Sequence, residues 1–268
     1  MANLWHILLD QPILNALIFL YQIFFSNLGL AIIVLTVLVR LVLIPLTNPQ
    51  LRSAQKMQEL APELEKLKRK HKGDKQKLMQ AQLDLYKRHN VNPASGCLPQ
   101  ILQFIILISL YRTFSQVIRP DGASVVESLS KNLYPFIHLA KGTPLNLQFL
   151  YLNLSKPDLI YIPGFLALPG PFVILSTVFQ FLSSKLMMPG VKLEEKEAQA
   201  TEEKTDNLAL SMQKQMLYLF PAMTLIFGYT MASGVILYWF IFSFFSFIQQ
   251  LMISQSNKKG DKNDKERN

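Results

Sequence analysis

The sequence has 268 residues, 50% of them hydrophobic and 17% charged, with a formal net charge of +9. Apolar residues gathered into long runs exclude a large soluble core as the main architecture and point to an integral membrane protein. Cys97 is the one cysteine, which excludes an internal disulfide framework and a cysteine zinc site; the basic residues sit in loops flanking apolar runs, so membrane topology explains the charge better than nucleic-acid binding.

Residues 1–26 include Trp5, His6 and an apolar stretch over 13–25 that is short of a full crossing. They read as an external helix lying in the membrane interface, anchored by Trp5 and Tyr21; the alternative is that they extend the first span. No Lys or Arg precedes Arg40, so neither a secretory signal with a basic start nor an Arg-rich transit peptide is expected.

Residues 27–47 form the first predicted span, and 28–46 reads LGLAIIVLTVLVRLVLIPL. Pro45 is expected to kink or end it. Arg40 stands out, because a charge at mid-bilayer costs about 2.5–3.5 kcal/mol on insertion scales and marks function by default. Thr36 and Thr47, four before and seven after, share its helix face. The competing reading is snorkelling, with the cytoplasmic end roughly 10 Å away at the helical rise.

Residues 48–96 change composition sharply, with Lys and Arg well in excess of Asp and Glu. Leu60, Leu64 and Leu67 recur at helical spacing and Gly73-Asp74 punctuates the middle, which predicts helices over 50–71 and 75–89 folded into a cytoplasmic antiparallel hairpin. Pro62 bends or restarts the first helix. Asn92-Pro93-Ala94-Ser95-Gly96 ends the hairpin. A second span follows over 97–118, with Arg112 and Gln116 as interface anchors, and then an external loop over 119–158.

The third predicted span, 159–188, has Pro163, Pro169, Gly170 and Pro171 in its outer half. A charged cytoplasmic loop occupies 189–214, the fourth and fifth spans are 215–231 and 234–254, joined by a tight external turn, and 255–268 is a basic, disordered cytoplasmic tail. The expected fold class is therefore all-α, with five transmembrane helices around a hydrophilic groove, an N-terminal interfacial helix and a cytoplasmic helical hairpin. Five spans put the N-terminus outside and all three charged segments inside, in agreement with the separately read charge bias.

Three further spans carry polar residues on one helical face: Gln100 and Gln103 in the second, Thr177, Gln180 and Ser184 in the third, and Trp239, Ser243, Ser246 and Gln250 in the fifth. Singly these read equally well as interhelical glue; together with Arg40 they argue for a groove. No Asp or Glu lies inside any span, so an acidic group on a transient client would suit Arg40. His6, His71, His89 and His138 all lie outside the spans and no G-x-x-x-x-G-K-[ST] occurs, so no metal site, cofactor, nucleotide hydrolysis or other enzymatic catalysis is expected. Met187, Met188, Met212, Met216, Met223, Met231 and Met252 suit either a surface that accepts many apolar clients or ordinary gap filling. Two rival functions are a solute channel, opposed by the lack of a repeated half and of intramembrane carboxylates, and a chaperone that only holds unpaired spans.

The segments LWHILLDQPILNALIFLYQ, LTVLVRLVLIPLT, MQELAPELEKLKRKH, NPASGCLPQILQ and SGVILYWFIFSFFSFIQQ, taken in order over nearly the whole chain, resemble the YidC/Oxa-type membrane protein insertases in their minimal bacterial form. That resemblance implies a multi-pass protein of the bacterial plasma membrane, with its N-terminus outside, its C-terminus cytoplasmic, and a groove open to cytoplasm and lipid but closed outside. It places the family's groove arginine at Arg40, its glutamine at Gln180 and its aromatic pair at Tyr238 and Trp239. The partners it implies are nascent membrane proteins and the lipid bilayer, with the Sec translocon, the signal recognition particle pathway and the ribosome as further candidates and no direct nucleic-acid contact. Two departures weaken strong ribosome binding and a lipoprotein anchor: the tail is short, and there is no N-terminal cysteine.

Overall fold

The computed structural model describes residues 2–71, 73–91, 98–117, 129–130, 132–139, 145–164, 166–187 and 217–267. The break at 92–96, Cys97, the loop at 189–214, and Met188, Met212 and Met216 lie outside them. The regular structure of the described chain is helical apart from two short antiparallel pairings, the rest being turns and loops. In order it forms α1 (Ala2–Trp5), a π-helical turn (His6–Asp10), α2 (Gln11–Ile23), α3 (Leu28–Glu59), α4 (Ala61–Lys70), α5 (Lys75–Arg88) and α6 (Leu98–Val117). Strands β1 (Gln148–Phe149) and β2 (Leu152–Asn153) pair, as do β3 (Leu159–Ile160) and β4 (Leu168–Pro169); α7 (Pro171–Met187), α8 (Leu217–Gly228) and α9 (Ser233–Arg267) complete the chain. Among the described residues, Leu28–Met57 and Ser233–Gln255 are long and apolar enough to cross a membrane, and α7 and α8 are shorter apolar helices.

Four boundaries differ from the sequence expectation. The helix of the first predicted span does not stop at Pro45: α3 runs through Pro45 and Pro49 to Glu59. Local hydrogen bonds support the proline-disturbed turn, because the Thr47 hydroxyl donates to the Leu43 carbonyl (3.0 Å) while the Gln249 amide donates to Thr47 Oγ1 (2.9 Å) and Asn48 Oδ1 (2.7 Å). The hairpin's first helix accordingly begins at Ala61, with Pro62 in its first turn, where a missing N–H costs nothing. The third span does not begin at 159: residues 159–169 form the β3–β4 hairpin, since its prolines and Gly164 (φ +79°) suit a turn rather than a helix, and α7 starts at Pro171. The tail is not disordered; no proline follows Pro221, and α9 continues to Arg267.

The chain divides into two compact units: Met1–Val42, Leu102–Gln180 and Pro221–Phe245 form the first, and Leu43–Ile101, Phe181–Phe220 and Ser246–Asn268 form the second. In the first, α2 buries Leu14, Leu17 and Ile18, and α3 buries Leu28, Ala31, Ile32 and Leu35 at helical spacing. The π-helical turn brings Asp10 to 2% exposure, where its Oδ1 accepts hydrogen bonds from Trp5 Nε1 (3.1 Å) and Ser109 Oγ, and its Oδ2 lies 3.5 Å from Arg112 Nε. Trp5 and Arg112, expected to anchor at the membrane interface, thus find a partner within the protein, the Arg112 side chain remaining half-exposed. Tyr21 does too, its hydroxyl accepting from the Asn146 N–H (2.9 Å).

The segment 145–158 gathers three helix N-termini in this unit. Its Asn146 carbonyl accepts from Leu28 N of α3 (3.4 Å), and its Lys156 and Leu154 carbonyls accept from Ser233 N (2.7 Å) and Gly234 N (3.1 Å) of α9. For α7 the acceptor is a side chain: Asp158 Oδ2 takes hydrogen bonds from Phe172 N (3.0 Å) and Val173 N (3.3 Å). These satisfy donors that a helix start leaves open and that would be costly to bury. The Tyr151 hydroxyl donates to Asp158 Oδ1 (3.1 Å), and burial together with that carboxylate pushes the phenol above the ordinary tyrosine range. Close approach requires glycine at two points here: a Cβ on Gly29 would overlap the Phe149 ring, and one on Gly170 would overlap the Asp158 carboxylate.

In the second unit α4 and α5 turn at Gly73, whose φ of +88° a side chain would strain. Asp74 caps α5 by accepting from Lys77 N (3.0 Å), and Glu63 pairs with His89 (3.6 Å). Leu60, Leu85 and Val91 are buried in this unit.

Candidate functional site

Arg40 lies on the inward face of α3, in four-residue steps from the buried Ile32 and Thr36, while Leu38, Leu41 and Val42 on other faces are 47%, 49% and 75% exposed. The same turn-by-turn spacing that packs the helix therefore carries the charge inward. Its guanidinium carbon stands 4.3 Å from the Phe242 ring centroid and 5.2 Å from that of Phe245. Tyr238, one turn before Phe242, packs its ring 6.1 Å from that of Phe242. A guanidinium over an aromatic face gains about 0.5–2 kcal/mol, more as water is excluded. The residue itself stays partly exposed.

A second aromatic row fixes the helix that carries these rings. Phe240 meets Phe172 (5.3 Å) and Phe179 (6.1 Å) of α7, and Phe244 meets Phe179 edge-on (5.0 Å). So α9 uses positions 240 and 244 against α7, and 242 and 245 against the arginine.

The predicted site residues fall into three groups. Tyr238 is buried to 3%, its ring beside the Phe242 ring that the Arg40 guanidinium faces. Thr36, Ser243 and Gln180 belong to the same unit but are otherwise engaged or enclosed: the Thr36 hydroxyl donates to the Ile32 carbonyl (2.6 Å), Ser243 is 2% exposed, and Gln180 Oε1 accepts from the buried Thr224 hydroxyl (2.6 Å). Trp239 is half-buried there as well. Ser184 and Ser246 belong to the second unit, both half-buried, and the side chains of Gln100 and Gln103 lie outside the described residues. Sequence reasoning missed Phe242, Phe245 and Thr224. The aromatics had a signal, since 238, 242 and 245 follow a 4-then-3 spacing; Thr224 had none. Among the described residues no cluster of His, Cys, Asp and Glu could hold a metal ion.

Comparison with known proteins places this arrangement. A profile of the 60Kd inner membrane protein family matches residues 19–261. The membrane protein insertase YidC of Fusobacterium nucleatum is 34% identical over 235 residues, which is 88% of this chain and 88% of that one. Membrane protein insertase YidC 1 of Halalkalibacterium halodurans is 30% identical over 259 residues, 95% of this chain and 80% of that one. The YidC of Wolinella succinogenes is 31% identical over 246 residues, 92% of this chain but only 37% of that longer protein. The chain belongs to the 60Kd inner membrane protein family, the family of the YidC membrane insertases, and is a bacterial inner membrane protein.

Proposed function

We propose that the protein inserts nascent membrane proteins into the bacterial inner membrane through a hydrophilic groove that carries Arg40, without hydrolysing nucleotide. In this reading five helices cross the bilayer, the N-terminus is outside and the α4–α5 hairpin is cytoplasmic, where it meets targeting factors. Sec, the signal recognition particle pathway and the ribosome are its candidate partners. In the first unit Arg40, Thr36, Gln103, Gln180, Tyr238, Trp239 and Ser243 are the groove's candidate lining residues.

The observation that carries the proposal is the seating of Arg40: a cation on the inward face of an apolar helix, its guanidinium set against the Phe242 and Phe245 rings. An acidic residue in the polar segment of a client is attracted to such a charge more strongly than in bulk water, because the surroundings screen it poorly. The client's apolar span then enters lipid, driven by burial at about 25 cal/mol per Å². The test is reconstitution of the pure protein in vesicles with a single-span client bearing an acidic N-terminal tail, read by protease protection of that tail. Arg40→Ala should lower the protected fraction at least tenfold, and Arg40→Lys should restore most of it, tenfold being about 1.4 kcal/mol of barrier. Normal insertion by Arg40→Ala would remove the attraction step from the proposal.

A further inference from the structure

We propose that the β3–β4 hairpin seats in the outer interfacial layer of the bilayer and anchors there the outer end of α7, a helix shorter than the hydrocarbon is thick; this rests on the reading of α7 as a membrane span. α7 has 17 residues, which give about 25 Å of helix against roughly 30 Å of hydrocarbon. The chain immediately before it is strongly apolar. From 159 to 175 the only polar side-chain atom is the hydroxyl of Tyr161. A water-facing hairpin carries polar residues on at least one face. Here Ile160, Tyr161, Leu166 and Leu168 are 44%, 79%, 81% and 46% exposed.

Lipid is the occupant that continuity selects. Gly170 alone separates β4 from α7, its N–H donates to the Asp158 carbonyl (2.8 Å), and the Asp158 carboxylate caps Phe172 and Val173. The hairpin base is thereby tied to the first turn of α7 and stays at the membrane surface when α7 crosses. The exposed apolar surface runs on into α7 at Ile174 and Val178, 46% and 44% exposed. Backbone satisfaction sets the depth. Among the described residues of the hairpin, Leu159, Ile160, Leu168 and Pro169 are the strand-paired ones, so 161–164, 166 and 167 need water or headgroups for their free N–H and C=O groups and cannot lie in hydrocarbon. The hairpin backbone therefore rests among headgroups with its side chains reaching the acyl boundary, where the amphipathic ring of a tyrosine is favoured.

The test is spin labelling of the full chain, with Cys97→Ala, in phosphatidylethanolamine–phosphatidylglycerol vesicles. Single cysteines at 161, 166, 174 and 156 are compared for collision with oxygen, which enters lipid, and with a water-soluble nickel chelate. The oxygen-to-nickel ratio at 161 and 166 should exceed that at the exposed Lys156 position several-fold and approach that at 174. Ratios at 161 and 166 equal to that at 156, with 174 still shielded from nickel, overturn the inference while leaving α7 as a span. Nickel access at 174 as well overturns the span reading and the inference with it. Exclusion of both reagents at 161 and 166 shows a protein partner covering the hairpin and also overturns it.

Discussion

Arg40 and Asp10 are both charges in apolar surroundings, and the protein treats them in opposite ways. Arg40 rests against the Phe242 and Phe245 rings and stays partly exposed. Asp10 is enclosed, with Trp5, Ser109 and Arg112 gathered round it. The first reads as a working group and the second as a clasp between the N-terminal helices and α6. Asp10→Ala should therefore destabilise the clasp by about 2 kcal/mol, the usual worth of hydrogen bonds to a charged group, because Arg112 is half-exposed and can turn to water. The expected result is faster amide exchange over residues 2–23 in detergent or vesicles, with exchange in α5 unchanged; equal protection in the variant would show that the packing of Leu14, Leu17 and Ile18 suffices. Arg40 was legible in the sequence because a single charge interrupts an apolar run. Asp10 was not, because Asp-Gln-Pro reads as a local turn and its partner Ser109 is 99 positions away.

At the scale of elements, local signals were readable wherever one residue's own chemistry decides the outcome. Gly73-Asp74 marks the start of α5, since glycine takes the left-handed turn and aspartate caps the helix. The Lys77 backbone N–H, followed by the Lys77 side chain, holds the Asp74 carboxyl below its ordinary value of 3.8. Because the folded value is the lower one, the cap contributes fully above the ordinary aspartate range and is lost as pH falls through the folded value. In nuclear magnetic resonance of the protein, the Lys77 amide should titrate with a midpoint below 3.8 and Asp74→Asn should abolish that titration; a midpoint at or above 3.8 contradicts the cap. The start of α7 was not readable in this way. Hydropathy counts Leu159 and Ile160 as span, and it cannot see that the prolines of the stretch and Gly164 turn the chain back on itself before the carboxylate of Asp158 opens the helix.

At the scale of the whole molecule, long apolar helices and the family were legible from hydropathy and motif order, whereas the gathering of helix starts on the segment 145–158 was not. Backbone carbonyls of Asn146, Leu154 and Lys156 accept the hydrogen bonds from α3 and α9, and every residue type offers a carbonyl. Only the glycines hint at the closeness required. Gly29 lets the Phe149 ring lie on α3, so a large side chain at 29 must displace the ring and with it β1. In the proposed topology this segment seals the outer end of the groove. With Cys97→Ser and Thr36→Cys as background, an impermeant maleimide added outside should leave the protein unlabelled, Thr36 being 3% exposed. Gly29→Leu should then admit the reagent and raise labelling several-fold, while Gly29→Ala, which asks the ring for a smaller shift, should do so less. Because Gly29→Leu could also unfold the protein, the labelled fraction must retain the protease resistance of the parent. Equal, low labelling in a protease-resistant Gly29→Leu protein would mean that Phe149 does not hold the seal, and that the carbonyl caps on α9 keep the outer end closed without it.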